Sequence, residues 1–508
     1  MPSLTSSFDA PLSVAQDVIK EIGPQISCVG PIRSTSETGR SGQTEVTFET
    51  DDPPHVPYFP IARFVLMRGA RRDLEHATQT LRAHIKGGSA APMPGRRRLL
   101  TPPVPFDQQQ VNLVATVCAM MLVSYFGGSL FTQFVDPIAD SFGQSNRALG
   151  YALAATRVGI IFSLFAGVFA DRRGRRRILL ISVAGVTLGN AISMVAPNMF
   201  TFTLGQVLTR GFINAVVTIG SICIVEEAPA GARAYALGLL TLVGGTGYAL
   251  GVALIPIGDF GPQAWRFAFV ISVASIVFLP GFARHLRETR RYHDLAERTK
   301  KRGGTREVID ERYGWRFGVL AVSAFVLNLF AAPSSQFTNR YLSDERGLSG
   351  LDITAMRTIT QGLPGLFGVA IGGQLAEARG RRPVASIALL IATGAEMAFF
   401  LTAGAPLWIA SLFAVLLAGI SGPALAAFSN ELFPTEVRGT ANGLLLIAGL
   451  AGSATGLVVV GTLADRWDNL GGAIALMGIG SLLAAAFLIP LLPEAKGRTL
   501  EEISPSEV

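Results

Sequence analysis

Runs of about twenty apolar residues, separated by short charged turns, fill most of this chain after residue 105. Twenty residues wound as a helix cover about 30 Å, the thickness of a bilayer's hydrocarbon core. In that medium a backbone finds no water, so each run must satisfy its own amides as a helix. Twelve runs are legible: 110–135, 147–170, 175–196, 200–226, 234–257, 266–286, 316–339, 352–376, 382–403, 405–431, 439–463 and 470–492. Charged residues make up only 16% of the chain, against about 25% in soluble proteins. They collect before the first run and in the turns. The expected fold is therefore an all-α membrane protein of twelve transmembrane helices.

The placement of charge also sets the topology and removes one function class. A net charge of +7 and a pI near 9.6 would fit a nucleic-acid binder. Here, however, the bases sit at helix ends and in one central loop, as membrane insertion requires. All five lysines (Lys20, Lys86, Lys300, Lys301, Lys496) fall on one side of the twelve-run map. The outer loops after spans 3 and 9 carry no basic residue. The positive-inside tendency then predicts both termini in the cytoplasm and a multi-pass protein of the plasma (inner) membrane. Cys28, Cys118 and Cys223 have no paired spacing, so no disulfide framework is expected. Four of the five histidines lie outside the apolar runs and His285 falls at the very end of the sixth, which argues against a histidine proton relay.

Five segments are expected: 1–105, a cytoplasmic extension; 106–286, a first six-helix bundle; 287–315, a basic linker; 316–493, a second bundle; and 494–508, a tail. For the extension three readings stay open: a small α+β unit, a partly disordered arm, or translation that begins at Met67 or Met93. Thr44–Thr50 alternates like a strand, and 61–85 has helical apolar spacing. The acids Asp9, Asp17 and Glu21, with no apolar region before a cleavage site, exclude a signal peptide.

The turn after span 2 reads Gly167-Val-Phe-Ala-Asp-Arg-Arg-Gly-Arg-Arg-Arg177. It returns after span 8 as Gly373-Gln-Leu-Ala-Glu-Ala-Arg-Gly-Arg-Arg-Pro383, its acids Asp171 and Glu377 being 206 residues apart. Glu226-x-x-Pro-x-x-x-Arg233 follows span 4 and Glu431-x-x-Pro-x-x-x-Arg438 follows span 10, offset by 205. Glu288 and Glu494, after spans 6 and 12, are again 206 apart. Three pairs in one register make the chain two similar halves. Arginine and carboxylate at helix ends can pair in bidentate fashion between halves, closing a gate that water can reopen. The inner gate expected from these motifs is Asp171, Arg172, Gly174, Arg175, Glu226, Arg233, Glu377, Gly380, Arg381, Glu431 and Arg438.

These motifs, the twelve spans and the central basic loop resemble the major facilitator superfamily over about residues 106–503. The tail Pro493-Glu-Ala-Lys-Gly-Arg-Thr-Leu-Glu-Glu502 is similar to its sugar-porter and metabolite-symporter branch. The resemblance implies two pseudo-symmetric six-helix bundles that rock about a central cavity lined mainly by spans 1, 4, 7 and 10. It also assigns the inner-gate role to Asp171, Arg172, Gly174 and Arg175, with Glu377 and Arg381. Related sugar and acid carriers hold an acid within span 1; here Ser124-Tyr-Phe-Gly-Gly-Ser-Leu130 has none, and Asp136 lies near the outer end. Proton symport through span 1 is therefore not expected.

A charge deep in a bilayer costs about 2.5–3.5 kcal/mol and needs a reason. Arg157 and Arg210 lie roughly 21 and 24 Å from the inner surface at 1.5 Å per residue. Their positions 206 later are Leu363 and Leu416. Two arginines in one half, facing neutral polar groups in the other, point to an anionic or strongly polar solute. The candidate substrate residues are Arg210, Arg157, Asn214, Asn328, Ser335, Gln336 and Gln361. The bland alternative is that the arginines bond backbone carbonyls as structural ties. Gly362-Leu-Pro-Gly365 and Gly422-Pro423 are expected to interrupt spans 8 and 10, while Glu396 is expected to make an interhelical contact.

The sequence thus reads as a secondary active or facilitative transporter of a small polar organic solute, with an organic anion or metabolite favoured. Multidrug efflux and a non-transporting nutrient sensor are the alternatives. No metal cluster, nucleophile and base, or phosphate-binding loop supports an enzyme, and no cofactor is expected. The expected partners are the lipid bilayer, the solute and a coupling proton or ion. The chain is expected to be a monomer, without nucleic acid.

Overall fold

The computed structural model describes residues 2–22, 25–27, 29–38, 43–86, 101–229, 232–288, 314–433 and 435–494. The expected linker and tail lie mostly outside them. So do the side chains of Asp171, Arg172, Glu377, Glu431 and Arg438.

The first 86 residues build an α+β unit. Strands β1 (Ser3–Phe8), β2 (Gln25–Ile26), β3 (Pro31–Thr38) and β4 (Thr44–Glu49) form an antiparallel sheet in the order β1-β4-β3-β2. The period of two along β4 buries Thr44, Val46 and Phe48 on one face. Helices α1 (Leu12–Ile22) and α2 (Pro60–Ile85) cover that face, with Ala15, Leu74, Ala77 and Leu81 packed on Phe8, Val46 and Phe48. The unit is tied to the helical body at its end: Tyr58 stands edge-on to Phe282 at 5.3 Å and bonds Nδ1 of His285 at 3.2 Å.

The remaining chain is helical throughout the described residues. Span 1 is Gln108–Gln133, opened by a capping box of Asp107 and Gln110. A short helix, Val135–Ser141, lies past its end. Span 2 is Asn146–Arg173, span 3 Arg175–Met194, span 4 Met199–Glu227 and span 5 Arg233–Ala253. Span 6 runs from Trp265 to His285 with a tight 3₁₀ segment between two α-helical pieces. Span 7 is Gly314–Arg340, continued by one wide π turn to Glu345. Span 8 begins at Gly350, widens into a π turn over Thr358–Gly362 and resumes as Leu363–Arg379. Spans 9 to 12 begin at Arg381, Ala405, Thr435 and Leu470. Ten of these helices are long and apolar enough to cross a membrane by length and composition. Spans 2 and 8 complete the twelve.

Two local expectations part company. At Gly362-Leu-Pro-Gly365 the helix does loosen, because Pro364 brings no N–H to the ladder. Pro423 instead sits inside an unbroken helix, Ala405–Glu431, so Gly422-Pro423 does not break span 10. A proline costs one hydrogen bond, and a long helix packed on its neighbours absorbs that loss.

The halves meet where side chains vanish. A Cβ at Gly150 in span 2 would strike the carbonyl of Leu457 in span 11, and one at Gly461 would strike that of Asn146. Spans 5 and 8 meet on the other side, where Thr354 Oγ1 donates to the Val252 carbonyl at 3.0 Å.

Candidate functional site: a central arginine layer between two capped ends

At the basic-loop end the repeated motifs build helix junctions. Spans 2 and 8 stop at Gly174 and Gly380, whose φ angles of +93° and +104° strain any other residue. The next helix starts at once and exposes unbonded amides. Glu288 accepts from the amides of Arg175 at 2.7 Å and Arg176 at 3.3 Å. Glu494 accepts from those of Arg381 at 2.9 Å and Arg382 at 3.0 Å. Each glutamate therefore caps a helix within its own half, and a Cβ at either glycine would press on that carboxylate. Arg175 pairs with Glu226, also within the first half, and both are buried. The expected pairing between halves is thus not what joins Arg175 and Glu226. The turn that carries Arg175 faces the end of span 4 in its own bundle, so the partner is local. Arg233 opens span 5, and its Nε is buried without a hydrogen-bond partner among the described residues.

The opposite end carries bonds between the halves. Asp465, at the end of span 11, accepts from the first amides of span 2, those of Asn146 at 3.0 Å and Arg147 at 2.9 Å. Asp259, following span 5, accepts from the first amide of span 8, Gly350, at 2.9 Å. The two aspartates are 206 residues apart, so the register found in the turns holds here too. Arg340 adds a cross-half ion pair to Asp136 at 3.0 Å and a bond to Asn146 at 2.7 Å. Asp136 lies beside a cleft of about 240 Å³ shared with Gln133, Asp140, Asp259, Asn339 and Ser343. Its carboxyl is pushed up to about 7 by burial first and by Asp344 and Asp140, against the pull of Ser343 and Arg340.

Between these ends lie the arginines. Arg157 and Arg210 are half-buried and within electrostatic reach of each other. Gly159 lets spans 2 and 4 touch beside Arg210, whose Cβ lies 3.3 Å from where a glycine-borne Cβ would stand. Arg157 Nε is buried and has no hydrogen-bond partner among the described residues. Tyr125 of span 1 and Tyr248 of span 5 are the polar neighbours of Arg210.

The candidates otherwise divide. Asn214 donates to the Arg210 carbonyl at 2.7 Å, Asn328 to that of Ala324 at 2.9 Å and Ser335 to that of Ala332 at 3.0 Å, each along its own helix. Gln336 accepts from Thr132 at 2.7 Å, a bond between halves. Gln361 accepts from Arg357 Nε at 3.1 Å. That arginine corrects the expectation that the second half supplies only neutral polar groups. Arg357 is 6% exposed and donates to Gln133 at 2.8 Å, Asn339 at 2.7 Å and the Tyr248 hydroxyl at 3.1 Å. Four acceptors from spans 1, 5, 7 and 8 hold it, and their hydrogen bonds offset the cost of burying a guanidinium. Lying seven residues into span 8, it has the sequence signature of a helix-end base, and only the partners from other spans distinguish it. Glu396 accepts from Ser334 at 2.7 Å, the interhelical contact expected of it.

Two bundles bonded to each other at one end among the described residues, with polar residues at mid-depth, define a solute carrier. Residues 117–356 and 320–506 match the Major Facilitator Superfamily, and the chain belongs to that family. It is a multi-pass membrane transporter that works by alternating access, not an enzyme. It is 24% identical over 402 residues to a probable 4-methylmuconolactone transporter of Cupriavidus pinatubonensis, covering 75% of this chain and 90% of that one. It is 26% identical over 401 residues to a gallate transporter of Pseudomonas putida, covering 70% and 86%. Among solved structures it resembles a D-xylose–proton symporter with a TM-score of 0.63 and 19% identity, over 77% of this chain and 99% of that one.

Proposed function

We propose that the protein carries a small organic carboxylate across the plasma membrane, with its basic-loop end and both termini in the cytoplasm. The observation that carries this reading is the pair Arg157 and Arg210, two half-buried guanidinium groups at one depth, one with an unsatisfied Nε. Carboxylate is the solute group that a guanidinium fork recognises best. Relatives named for methylmuconolactone and gallate support the same class. Asn214, Asn328, Ser335, Gln336 and Gln361 lie on the spans that would surround the solute, and Tyr125 and Tyr248 offer ring faces and hydroxyls.

In this reading the far end is sealed by Asp259, Asp465 and the Arg340 cluster, and solute exchanges at the cytoplasmic end. The gate there comprises Asp171, Arg172, Gly174, Arg175, Glu226 and Arg233, with Glu377, Gly380, Arg381, Glu431 and Arg438. The carrier acts as a monomer. Coupling to a proton belongs to the same reading, and Glu396 and Asp136 are the carboxyls placed to carry it. The test is uptake into liposomes of aromatic carboxylates, neutral sugars and cationic dyes, with and without a pH gradient. Carboxylate uptake should fall at least tenfold in Arg210→Ala. Sugar uptake indifferent to that substitution would overturn the reading.

A further inference from the structure

Helix α2 changes character along its length. From Leu74 to Leu81 its buried apolar residues pack against the sheet. Its first two turns extend beside spans 1 and 5, where Ile61, Phe64 and Met67 are 77%, 63% and 46% exposed. Helical spacing puts Ile61, Phe64, Arg68, Arg71 and Arg72 on one stripe, and all are exposed. The stripe is apolar for two turns and then basic, with Glu75 the next charge along it. Beneath the apolar turns runs a groove of about 440 Å³, lined by Val65, Leu66, Val114, Ala115, Leu239 and Val243 among others. It follows the first third of span 1, so it reaches into the depth of the bilayer. The bond from Tyr58 to His285 fixes this end of α2 against span 6.

We propose that groove and stripe together bind one anionic phospholipid, the acyl chain in the groove and the phosphate on Arg68, Arg71 and Arg72. Hydrocarbon is the medium that meets the groove where the spans enter the membrane, and the exposed apolar turns call for the same medium. The arginines follow one to two turns later, at the level where headgroups begin, and their planar forks match phosphate oxygens. Each base held at an anionic lipid surface is worth about fivefold in affinity. The bound lipid would hold the α+β unit against the membrane while the bundles move.

The full-length protein, released in mild detergent, is titrated with phosphatidylglycerol and phosphatidylcholine and weighed intact by native mass spectrometry. Phosphatidylglycerol should be retained at least tenfold more tightly. Joint Arg68→Glu, Arg71→Glu and Arg72→Glu substitution should lower its affinity about a hundredfold, three fivefold steps, and leave phosphatidylcholine unchanged. Ala115→Phe, which fills the groove, should weaken both lipids. A phosphatidylglycerol with a photoreactive acyl chain provides a second readout on the unaltered protein, labelling Val65, Val114 or Leu239. Equal retention of the two lipids, or labelling confined to other surfaces, would overturn the proposal. Neither readout depends on transport, so failure here leaves the carboxylate reading standing, and the reverse.

Discussion

Arg357 shows how a single buried base is made tolerable. Its guanidinium meets four neutral acceptors from four spans, and without it Asn339 Oδ1 and Gln361 Oε1 would lose their donor. An unsatisfied buried polar group costs about 1–3 kcal/mol. Arg357→Leu should therefore lower the melting temperature of the purified protein by several degrees, and adding Gln133→Leu should not double the loss, since the two share one bond. Asp136 gives a pH signature. Its folded value of about 7 lies above the usual carboxylate value near 4. The folded chain then binds the proton more tightly than the unfolded one, so stability falls as pH rises between those values. The groups facing it are Arg340, Asp140, Asp344 and Ser343, with Asp259 across the cleft. Unfolding measured from pH 4 to 8 should show that slope, and Asp136→Asn should flatten it. A slope unchanged in Asp136→Asn would assign the titration to another acid.

Among the elements, the helix starts govern how the halves hold together. An exposed carboxylate at a helix N-terminus contributes about 0.3–1 kcal/mol. That is weak enough to break in every transport cycle and strong enough to bias it. Asp259→Ala and Asp465→Ala should each shift the far end toward opening by about two- to fivefold, and together by the product. Spin labels on the far ends of spans 2 and 11 would read the distance. A double variant no more open than either single one would mean that one cap alone governs the seal. At the other end, Gly174→Ala combines a strained φ with a methyl pressed on Glu288. It should cost about 1–2 kcal/mol, seen in thermal unfolding, and Gly380→Ala should do the same.

On the scale of the whole molecule, the bundle architecture was legible because the bilayer imposes it: length, hydropathy and charged turns leave little else to adopt. The strand at 44–49 and the helix at 60–85 were legible from their periods. The register of 206 located the helix junctions but did not name the partner of Arg175, because a repeat says which residues correspond and not which ones touch. Arg357 escaped notice since a base near a span end is usually a topology anchor. Asp259 and Asp465 escaped because they sit in no repeated motif, only at repeated positions. Removal of residues 1–95 should leave solute uptake in liposomes within about twofold, since the central arginines and both sets of caps lie beyond it; a collapse of uptake with the protein still folded would give the α+β unit a signalling or gating role.

The reciprocal caps also bear on ancestry. Asp259 reaches from one half to the helix start of the other, and Asp465 returns the contact at the equivalent place. In a two-fold pair of identical subunits, a single aspartate in each would generate both contacts. A half-length ancestor that dimerised would thus have acquired its closure by one substitution, before duplication and fusion placed the two copies in one chain and left each free to diverge.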